Sequence, residues 1–360
     1  MNSESPQSSR RDFLKGESAR KQMAHDLEQT QEALAEALEL EAPGSAETIR
    51  LSSKAMACEF SVILNPGKRQ HVLAASDALE IIHQVEAQLS VYRLETELSQ
   101  VNQQAAEGPV GVTEELFALL KRAMELCELT QGAFNPLAGP LIQCWRTARQ
   151  QKQTPEQAQI DRLLPLLDSA AVKFEEQNHT IEFLQEGMAF DLGGMGKGYA
   201  LDVAGQFLEE QQVTDFLFHG GHSSLMMRGT HNNLPGWPIG LRNPLFPAQK
   251  LATLTISNQA FSATGAAVNS FRVAGKKYGH VLDPRTGWPA EGMLSTVVLT
   301  ENGADADALS TALYVLGPEA GKALVEEHST WKALMFWTRQ GSSTLKTEQL
   351  GIEDSQIYWH

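Results

Sequence analysis

The sequence predicts an α+β fold with mixed, mostly antiparallel sheets and packed helices. Strand-like apolar runs and helix-like runs with a 3.6-residue period both occur along the 360 residues. Their order shows no regular strand–helix–strand repeat, which a parallel sheet would require. A hydrophobic content of 42% with 20% charged residues is ordinary for a globular protein.

The strand prediction rests on short apolar and β-branched runs. In chain order these runs are Phe60–Leu64, Thr180–Phe183, Phe216–Phe218, Leu254–Ile256, Val281–Leu282, Thr296–Thr300 and Ala333–Trp337. The helix prediction rests on longer runs with apolar residues at helical spacing. These are Val72–Leu89, Glu114–Leu129, Pro155–Leu167, Lys197–Glu210, Asp305–Leu316 and Ala320–Glu327.

Charge and cysteine content exclude several classes of protein. The net charge of −15 argues against a general binder of nucleic acid or anionic membranes. Three cysteines without a zinc-like spacing argue against a metal finger or a disulfide framework. No apolar run is long enough to predict an integral membrane segment.

The N-terminal residues 1–46 are predicted to be a polar tail before the main domain, 47–345, with 346–360 as a C-terminal tail. SSRRDFLKG, Ser8 to Gly16, matches a twin-arginine export motif, but no apolar run follows it. We therefore expect an uncleaved, cytoplasmic protein, with twin-arginine export to the periplasm as the alternative. The acidic stretch Ala24 to Thr48 has leucines at helical spacing, which fits either a solvated segment or a helix that docks a partner. Pro43-Gly44-Ser45 marks a linker.

The stretch DLGGMGKGYALD, Asp191 to Asp202, joins a predicted strand to a predicted helix. Its glycines allow backbone groups to approach a ligand closely, and Lys197 at the helix start is a charge suited to phosphate oxygens. The spacing matches neither the P-loop nor the dinucleotide fingerprint. The alternative is a tight structural turn without a ligand.

Two further segments contain groups capable of chemistry. In ADADALSTALYVLG, Asp307 and Thr311 are four residues apart and share one helix face, where their oxygens would suit Mg²⁺ or Ca²⁺. They could equally be a first-turn acid and a packed threonine. In YGHVLDPRTGWP, His280 and Asp283 flank a rigid turn and could supply a base, although His280 could also be structural.

Together these segments resemble the ApbE-type flavin transferases, which move FMN from FAD to a threonine of a target protein. The resemblance runs from about Leu51 to about Trp337. Its elements, in order, are Met56, SVYRLETELSQVN with Tyr92, GAFNPLAGPLIQCW, DLGGMGKGYALD, the glycine pair Gly220–Gly221, HVLDPRTG and ADALSTAL. It implies a two-lobed, T-fold-like single catalytic unit with the flavin in a cleft.

The resemblance also implies the ligands and their residues. FAD is the substrate, Mg²⁺ is the cofactor, and AMP leaves when FMN passes to a target-protein threonine in a motif of the form Asp-x-x-Ser/Thr-Gly-Ala-Thr. Gly194, Asp307 and Thr311 are implied metal ligands, the glycine through its carbonyl. The implied FAD contacts are Met56, Tyr92, Ala133, Phe134, Asn135, Asp191 and Lys197, with His280 contacting FAD as the candidate catalytic base.

Three departures from the family pattern leave other functions open. Asn135 replaces an aspartate, His222 replaces the aspartate after the glycine pair, and Ala263 begins a less polar Ala-Thr-Gly element. The alternatives are a Mg²⁺-dependent FAD pyrophosphatase that uses water as acceptor, and a non-catalytic FAD-binding protein.

Overall fold

An eight-stranded antiparallel sheet, in the order β1-β2-β6-β7-β10-β15-β16-β17, is the centre of the fold. The computed structural model describes residues 48–221, 223–265, 271–273, 275–339 and 342–360. The predictions for residues 1–46, with their export motif and acidic stretch, and for His222 lie outside the described residues. The α+β prediction is confirmed.

The described strands form the central sheet, two three-stranded sheets and two short hairpins. They are β1 (Ile49–Ala55), β2 (Cys58–Leu64), β3 (Val110–Gly111), β4 (Val172–Glu175), β5 (Thr180–Phe183), β6 (Phe216–Gly220), β7 (Ser224–Arg228), β8 (Trp237–Arg242), β9 (Lys250–Ile256), β10 (Gln259–Gly265), β11 (Phe271–Val273), β12 (Lys276–Tyr278), β13 (Leu282–Asp283), β14 (Trp288–Pro289), β15 (Met293–Thr300), β16 (Lys332–Thr338), β17 (Leu345–Leu350) and β18 (Ile357–Trp359).

The described helices lie mainly on one side of the central sheet. They are α1 (Arg69–Leu89), α2 (Glu97–Gln104), α3 (Glu114–Leu129), α4 (Gly139–Gln150), α5 (Gln157–Leu163), α6 (Gly196–Glu210) and α7 (Gly303–Glu326). None of the helices in this part of the chain is both long and apolar enough to cross a membrane.

Both faces of the central sheet are buried, because alternate residues of its inner strands enter two different cores. On β6, Phe216 and Phe218 pack with the helices, whereas Leu217 packs with the sheet β18-β9-β8. On β16, Met335 faces the helices and Phe336 faces the small sheet. Side chains alternate across a strand, so a strand buried on both faces is a continuous apolar run. The predicted strands in these regions are therefore confirmed.

The helix α7 contains a break that separates its two predicted halves. Gly317 has a φ of 78°, a left-handed conformation that glycine adopts readily, and Pro318 follows it. The predicted helices Asp305–Leu316 and Ala320–Glu327 correspond to the segments on either side. The first segment holds the candidate metal ligands.

The last fifteen residues, which the sequence analysis predicts to be a C-terminal tail, pair with two sheets. The strand β17 pairs with β16 at the edge of the central sheet, and β18 pairs with β9. Leu350, Ile352 and Ile357 are buried. The chain beyond residue 345 is therefore part of the folded domain, and a boundary there falls inside β17.

Candidate active site

A cavity of about 460 Å³ lies between the β1–β2 turn, the glycine-rich turn before α6 and the first half of α7. This volume lies within the range of small-molecule sites. The structure brings every predicted site residue to its wall. These residues are Met56, Tyr92, Ala133, Phe134, Asn135, Asp191, Gly194, Lys197, His280, Asp307 and Thr311.

The glycine-rich turn is held in place at its entrance by two side chains. Asn102 bonds both backbone groups of Phe190, with its amide donating at 2.9 Å and its oxygen accepting at 2.7 Å. Asp191 then accepts a hydrogen bond from the Gly193 N–H at 2.8 Å. The helix α6 begins immediately after the turn, with Lys197 in its first turn. The positive end of the helix and the lysine therefore lie together at the cavity wall.

The helices α6 and α7 cross in backbone contact and exchange carboxylates. A Cβ on Gly198 would lie 2.0 Å from the Gly303 carbonyl oxygen, so only glycine permits this approach. Asp307 of α7 accepts from the Gly198 N–H at 2.8 Å. In return, Asp202 of α6 accepts from the N–H groups of Gly303 and Ala304 at the start of α7, at 2.5 and 2.9 Å. Each acid thus binds backbone donors at the start of the other helix.

Burial and these hydrogen bonds shift the pKa of Asp202 in opposite directions. Desolvation is the larger influence, and it raises the pKa of Asp202 from 3.8 to about 7, while the two backbone N–H groups lower it. Asp307 and Asp305 add smaller upward contributions because they are nearby negative charges.

Asp307 lies at the floor of the cavity and is 4% exposed. Its second carboxylate oxygen accepts from the Ser224 hydroxyl at 2.7 Å, and the Thr311 hydroxyl donates to its backbone carbonyl at 3.2 Å. A Cβ on Gly194 would lie 3.8 Å from Thr311 Oγ1, which places the glycine beside this pair. A carboxylate, a hydroxyl and a nearby backbone carbonyl are hard oxygen donors of the kind that Mg²⁺ accepts. Each carboxylate oxygen retains a lone pair beyond its one hydrogen bond, so the set fits a cation.

The turn between β1 and β2 presents Met56 to the cavity in a left-handed conformation. Met56 and Ala57 have φ values of 49° and 56°, and Ala55 pairs with Cys58 across the two-residue loop. Positive φ at both central residues defines a type I′ hairpin turn, which normally uses asparagine or glycine. The Met56 side chain is therefore held at the cavity wall at some cost in backbone strain.

Tyr92 forms the opposite wall together with a cation that the sequence analysis did not single out. The guanidinium of Arg146 lies 4.8 Å from the centre of the Tyr92 ring and donates to its hydroxyl. Tyr92 is 43% exposed. Burial, and then the charge of Asp191, raises the pKa of Tyr92, while Arg146 lowers it. Part of the aromatic surface expected for a flat ring is thus in contact with a positive charge.

Asn135 and Phe134 are held by contacts outside the cavity as well as lining it. The Asn135 amide donates to the Leu167 carbonyl at 2.9 Å, and its oxygen accepts from the Leu137 N–H at 2.8 Å. An ionised aspartate could accept the second bond but could not donate the first. The ring of Phe134 lies 3.3 Å from where a Gly194 Cβ would be, so it supports the glycine-rich turn.

His280 is exposed at the cavity rim, just before β13. Its neighbour in the sequence motif, Asp283, binds Arg285 through both carboxylate oxygens, at 2.9 Å each. That pair fixes the Pro-Arg-Thr-Gly turn. Asp283 is therefore a structural partner of Arg285, and His280 lines the cavity together with Val281, Leu282 and Pro284 of the same motif.

Three residues with contacts at this site were missed from the sequence: Arg146, Asp202 and Ser223. Asp202 ends the glycine motif, but its partners are about a hundred residues away along the chain. Arg146 follows a predicted family tryptophan, and its spacing on α4 gives no signal of a contact with Tyr92. A partner fifty or more residues distant leaves no trace in local periodicity, so only the three-dimensional fold reveals these contacts.

The fold and cavity define an α+β protein with a cleft for a large ligand. The positively charged side chains of Lys197 and Arg146 lie in the wall of this cleft, and oxygen donors form its floor. The chain belongs to the ApbE family, whose sequence model matches residues 56–335. The resemblance identified from the sequence is therefore confirmed.

Named relatives and solved structures agree with this assignment. The chain is 32% identical to the FAD:protein FMN transferase of Klebsiella pneumoniae (strain 342), over 76% of this chain and 85% of that protein. It is 30% identical to the FAD:protein FMN transferase of Treponema pallidum (strain Nichols), over 73% and 77% of the two chains. The crystal structure of the Thermotoga maritima ApbE protein matches with a TM-score of 0.76 and 25% identity, over 84% of this chain and 97% of that one.

Proposed function

We propose that the chain is an FAD:protein FMN transferase that uses Mg²⁺ and modifies a threonine of a target protein. The names of its relatives support the activity. The observation that supports it most directly is a single cavity lined by Asp307, Thr311, Gly194 and Lys197. Oxygen donors for a cation and a positive charge for phosphate are what a diphosphate substrate requires.

The proposed reaction is a phosphoryl transfer. The threonine oxygen of the target forms a bond to the phosphorus of the FMN half of FAD. The bond from that phosphorus to the bridging oxygen breaks, and AMP leaves with this oxygen. The hydroxyl proton passes to His280, which is exposed at the rim where a macromolecular acceptor can reach it.

Asp307, Thr311 and Gly194 would hold the cation at the floor of the cavity. When bound, Mg²⁺ supplies Lewis-acid polarisation of the diphosphate and a template for the two reacting oxygens. Lys197 and Arg146 add positive charge to the wall, and the side-chain hydrogen bonds that Arg146 donates go to the neutral groups of Tyr92 and Gln143. Both cations are thus available to an anionic ligand.

The remaining cavity residues would bind and orient FAD. Met56 and Tyr92 contribute an apolar and an aromatic surface, with Ala133, Phe134 and Asn135 completing the wall for the flavin or adenine rings. Asp191 would contact FAD beside the glycine-rich turn, where its carboxylate already orders the backbone through Gly193. An ordered turn reduces the entropy lost when the substrate binds.

Product analysis distinguishes transfer from the two alternatives. The pure protein is incubated with FAD and Mg²⁺, with and without a target protein that contains the motif threonine, and with a target in which valine replaces that threonine. AMP released only with the threonine target, together with a flavin-labelled target, supports transfer. FMN and AMP without any target indicate a pyrophosphatase. Bound FAD with neither product indicates a carrier.

We propose that this reaction takes place in the cytoplasm, because the residues after Arg10 and Arg11 are polar and charged. A reporter fused to residues 1–45 should remain inside the cell. Periplasmic reporter activity that depends on both arginines would instead place the reaction, and the target threonine, outside the inner membrane.

A further inference from the structure

Ser223 has a buried hydroxyl for which the described residues provide no partner. The residue lines the cavity and is 6% exposed, and its Oγ makes no hydrogen bond within the described part of the chain. Buried hydroxyls are normally satisfied, because desolvation without a partner costs free energy. A hydroxyl in this position on a ligand cavity is a candidate contact for the ligand.

The backbone on both sides of Ser223 is fixed, so the side chain is held at this place. The Ser223 N–H donates to the Gly221 carbonyl at 2.7 Å, and the Ser223 carbonyl accepts from the Ala263 N–H at 2.8 Å. The next residue, Ser224, begins β7 and donates to Asp307. Ser223 is thus anchored next to the carboxylate at the cavity floor.

The other hydroxyls around Asp307 have already committed their protons. Ser310 donates to the Asp307 carbonyl at 3.0 Å. Since a hydroxyl has one proton, Ser262 and Thr264, at 3.0 and 2.8 Å from Ser310 Oγ, must both donate to it. Thr311 donates to the same Asp307 carbonyl. These hydroxyls can therefore only accept further hydrogen bonds, through their oxygen lone pairs. The proton of Ser223, in contrast, remains available to an acceptor from outside the chain.

The surroundings of Ser223 include both the proposed phosphate cation and a proposed metal ligand. Gly221 packs against Cys58, since a Cβ on the glycine would lie 2.9 Å from the cysteine Sγ. Cys58 in turn is near Lys197 and Asp307, whose charges act on its thiol together with those of Glu86 and Glu59. Ser223 therefore lies in the zone shared by the proposed phosphate cation and the proposed metal ligand.

We infer that Ser223 is a further substrate-binding residue, whose hydroxyl donates a hydrogen bond to a phosphate oxygen of the FAD diphosphate. This inference rests on the proposed function, because it takes FAD as the ligand. The substrate then supplies the acceptor that the described residues do not provide at this point.

The test compares Ser223→Ala with the matched variant Ser257→Ala, measuring FAD affinity with Mg²⁺ and the melting temperature without ligand. Ser257 lies outside the cavity wall, and its hydroxyl donates to the Gly229 carbonyl at 2.7 Å. We expect Ser223→Ala to weaken FAD binding roughly ten-fold, as for a lost bond to a charged group. The melting temperature should not fall, since the hydroxyl has no partner among the described residues. Ser257→Ala should lower the melting temperature and leave FAD affinity unchanged.

The outcomes separate the inference from the proposed function. Wild-type protein that fails to bind FAD contradicts the proposed function itself. Wild-type protein that binds FAD no more tightly than Ser223→Ala overturns the role of Ser223, as does a lower melting temperature with unchanged affinity. The absorption spectrum of bound FAD should be the same in both proteins. A shifted spectrum would place the contact on the flavin ring and overturn the diphosphate assignment.

Discussion

Two buried carboxylates on the first turns of α7 have different partners and therefore different expected roles. Asp305 binds Arg122 of α3 through both oxygens, at 3.0 and 2.7 Å. Asp307 faces the cavity and binds only neutral donors in the described chain, Gly198 N–H and Ser224. Asp305 completes an ion pair, whereas Asp307 retains a negative charge that a cation can neutralise.

The first prediction contrasts these two acids. Asp307→Asn should reduce transfer by at least about 100-fold, because a metal contributes several kcal/mol to such a step. Asp305→Asn should leave transfer per folded molecule unchanged but reduce the free energy of unfolding by about 1–3 kcal/mol, since Arg122 loses a charged partner. Rates of AMP release and denaturant melts measure the two effects. Equal transfer by Asp307→Asn and wild type would remove Asp307 from the metal site.

The sequence predicted the identities of the cavity residues better than their contacts. Met56, Tyr92, Asp191 and Asp307 all reach the cavity as expected. The partnership of Tyr92 with Arg146 and the unpaired proton of Ser223 could not be predicted, because each depends on which distant segments meet. Side-chain hydrogen bonds depend on which segments pack together, whereas the local sequence pattern gives only the residue types.

At the scale of secondary-structure elements, the crossing of α6 over α7 determines the geometry of the site. The contact is possible because Gly198 and Gly303 both lack a side chain, and a Cβ on either would clash with backbone of the other. Backbone cannot swing aside as a flexible side chain can. The position of Lys197 relative to Asp307 is therefore set by this close approach.

The second prediction tests the crossing with two glycines of the same helix. Gly198→Ala should cost about 3 kcal/mol or more, because the new methyl group overlaps the Gly303 backbone. Gly205→Ala meets the Met226 sulfur, which belongs to a flexible side chain, and gains about 0.8–1 kcal/mol of helix propensity. Its net effect should be within about 1 kcal/mol. Thermal melts provide the comparison, and similar losses for the two variants would contradict the backbone clash.

The third prediction concerns pH and Asp202. Its pKa in the folded protein, about 7, is above the ordinary value of 3.8, so the folded state binds this proton more tightly than the unfolded chain. The contribution of this group to stability is therefore greatest below about pH 4 and declines as the pH rises to about 7. Asp202→Asn lacks this decline. The melting temperature of wild type relative to the variant should fall between pH 5 and pH 8, and a difference that rises with pH would reverse the assignment.

Secondary structure was predictable from the clearest apolar runs, and it was missed both for polar edge strands and for some buried strands, such as β7 with the sequence SLMMR. The apolar runs in β2, β6, β15 and β16 identified them as strands. The edge strands β1 and β17 contain IRLSSKA and LKTEQL, in which polar residues face solvent and the ladder hydrogen bonds hold the strand. The helix α2, with the sequence ELSQVNQQ, is too polar and short for its period to stand out.

At the scale of the whole molecule, the C-terminal residues close the second core. Ile352 and Ile357 join the cluster that Trp237, Leu254 and Phe336 form between the central sheet and the sheet β18-β9-β8. Strand β18 is an edge of the small sheet, so its inward side chains are held by packing as much as by pairing. Stability of the layered fold should thus depend on residues far from the cavity.

The fourth prediction uses two neighbours on β18 that face opposite sides. Ile357 is 8% exposed and Tyr358 is 68% exposed. Ile357→Ala should reduce the free energy of unfolding by about 2–4 kcal/mol, whereas Tyr358→Ala should change it by less than about 0.5 kcal/mol. Denaturant melts measure both, and FAD affinity of the folded fraction should be unchanged in each. Equal stability of the two variants would show that β18 adds nothing to the second core.

The exchange of carboxylates between α6 and α7 has a consequence for recombination between relatives. Asp202 and Gly303 are 101 positions apart in the chain, yet each helix start is completed by an acid of the other helix. A chimera that takes the glycine motif from one parent and the start of α7 from another combines two helices that did not evolve in contact with each other. Recombination between residues 203 and 302 should therefore be tolerated only when both parents have the same contact between α6 and α7. The two distant stretches of the gene that encode these helix starts would then have to be exchanged together.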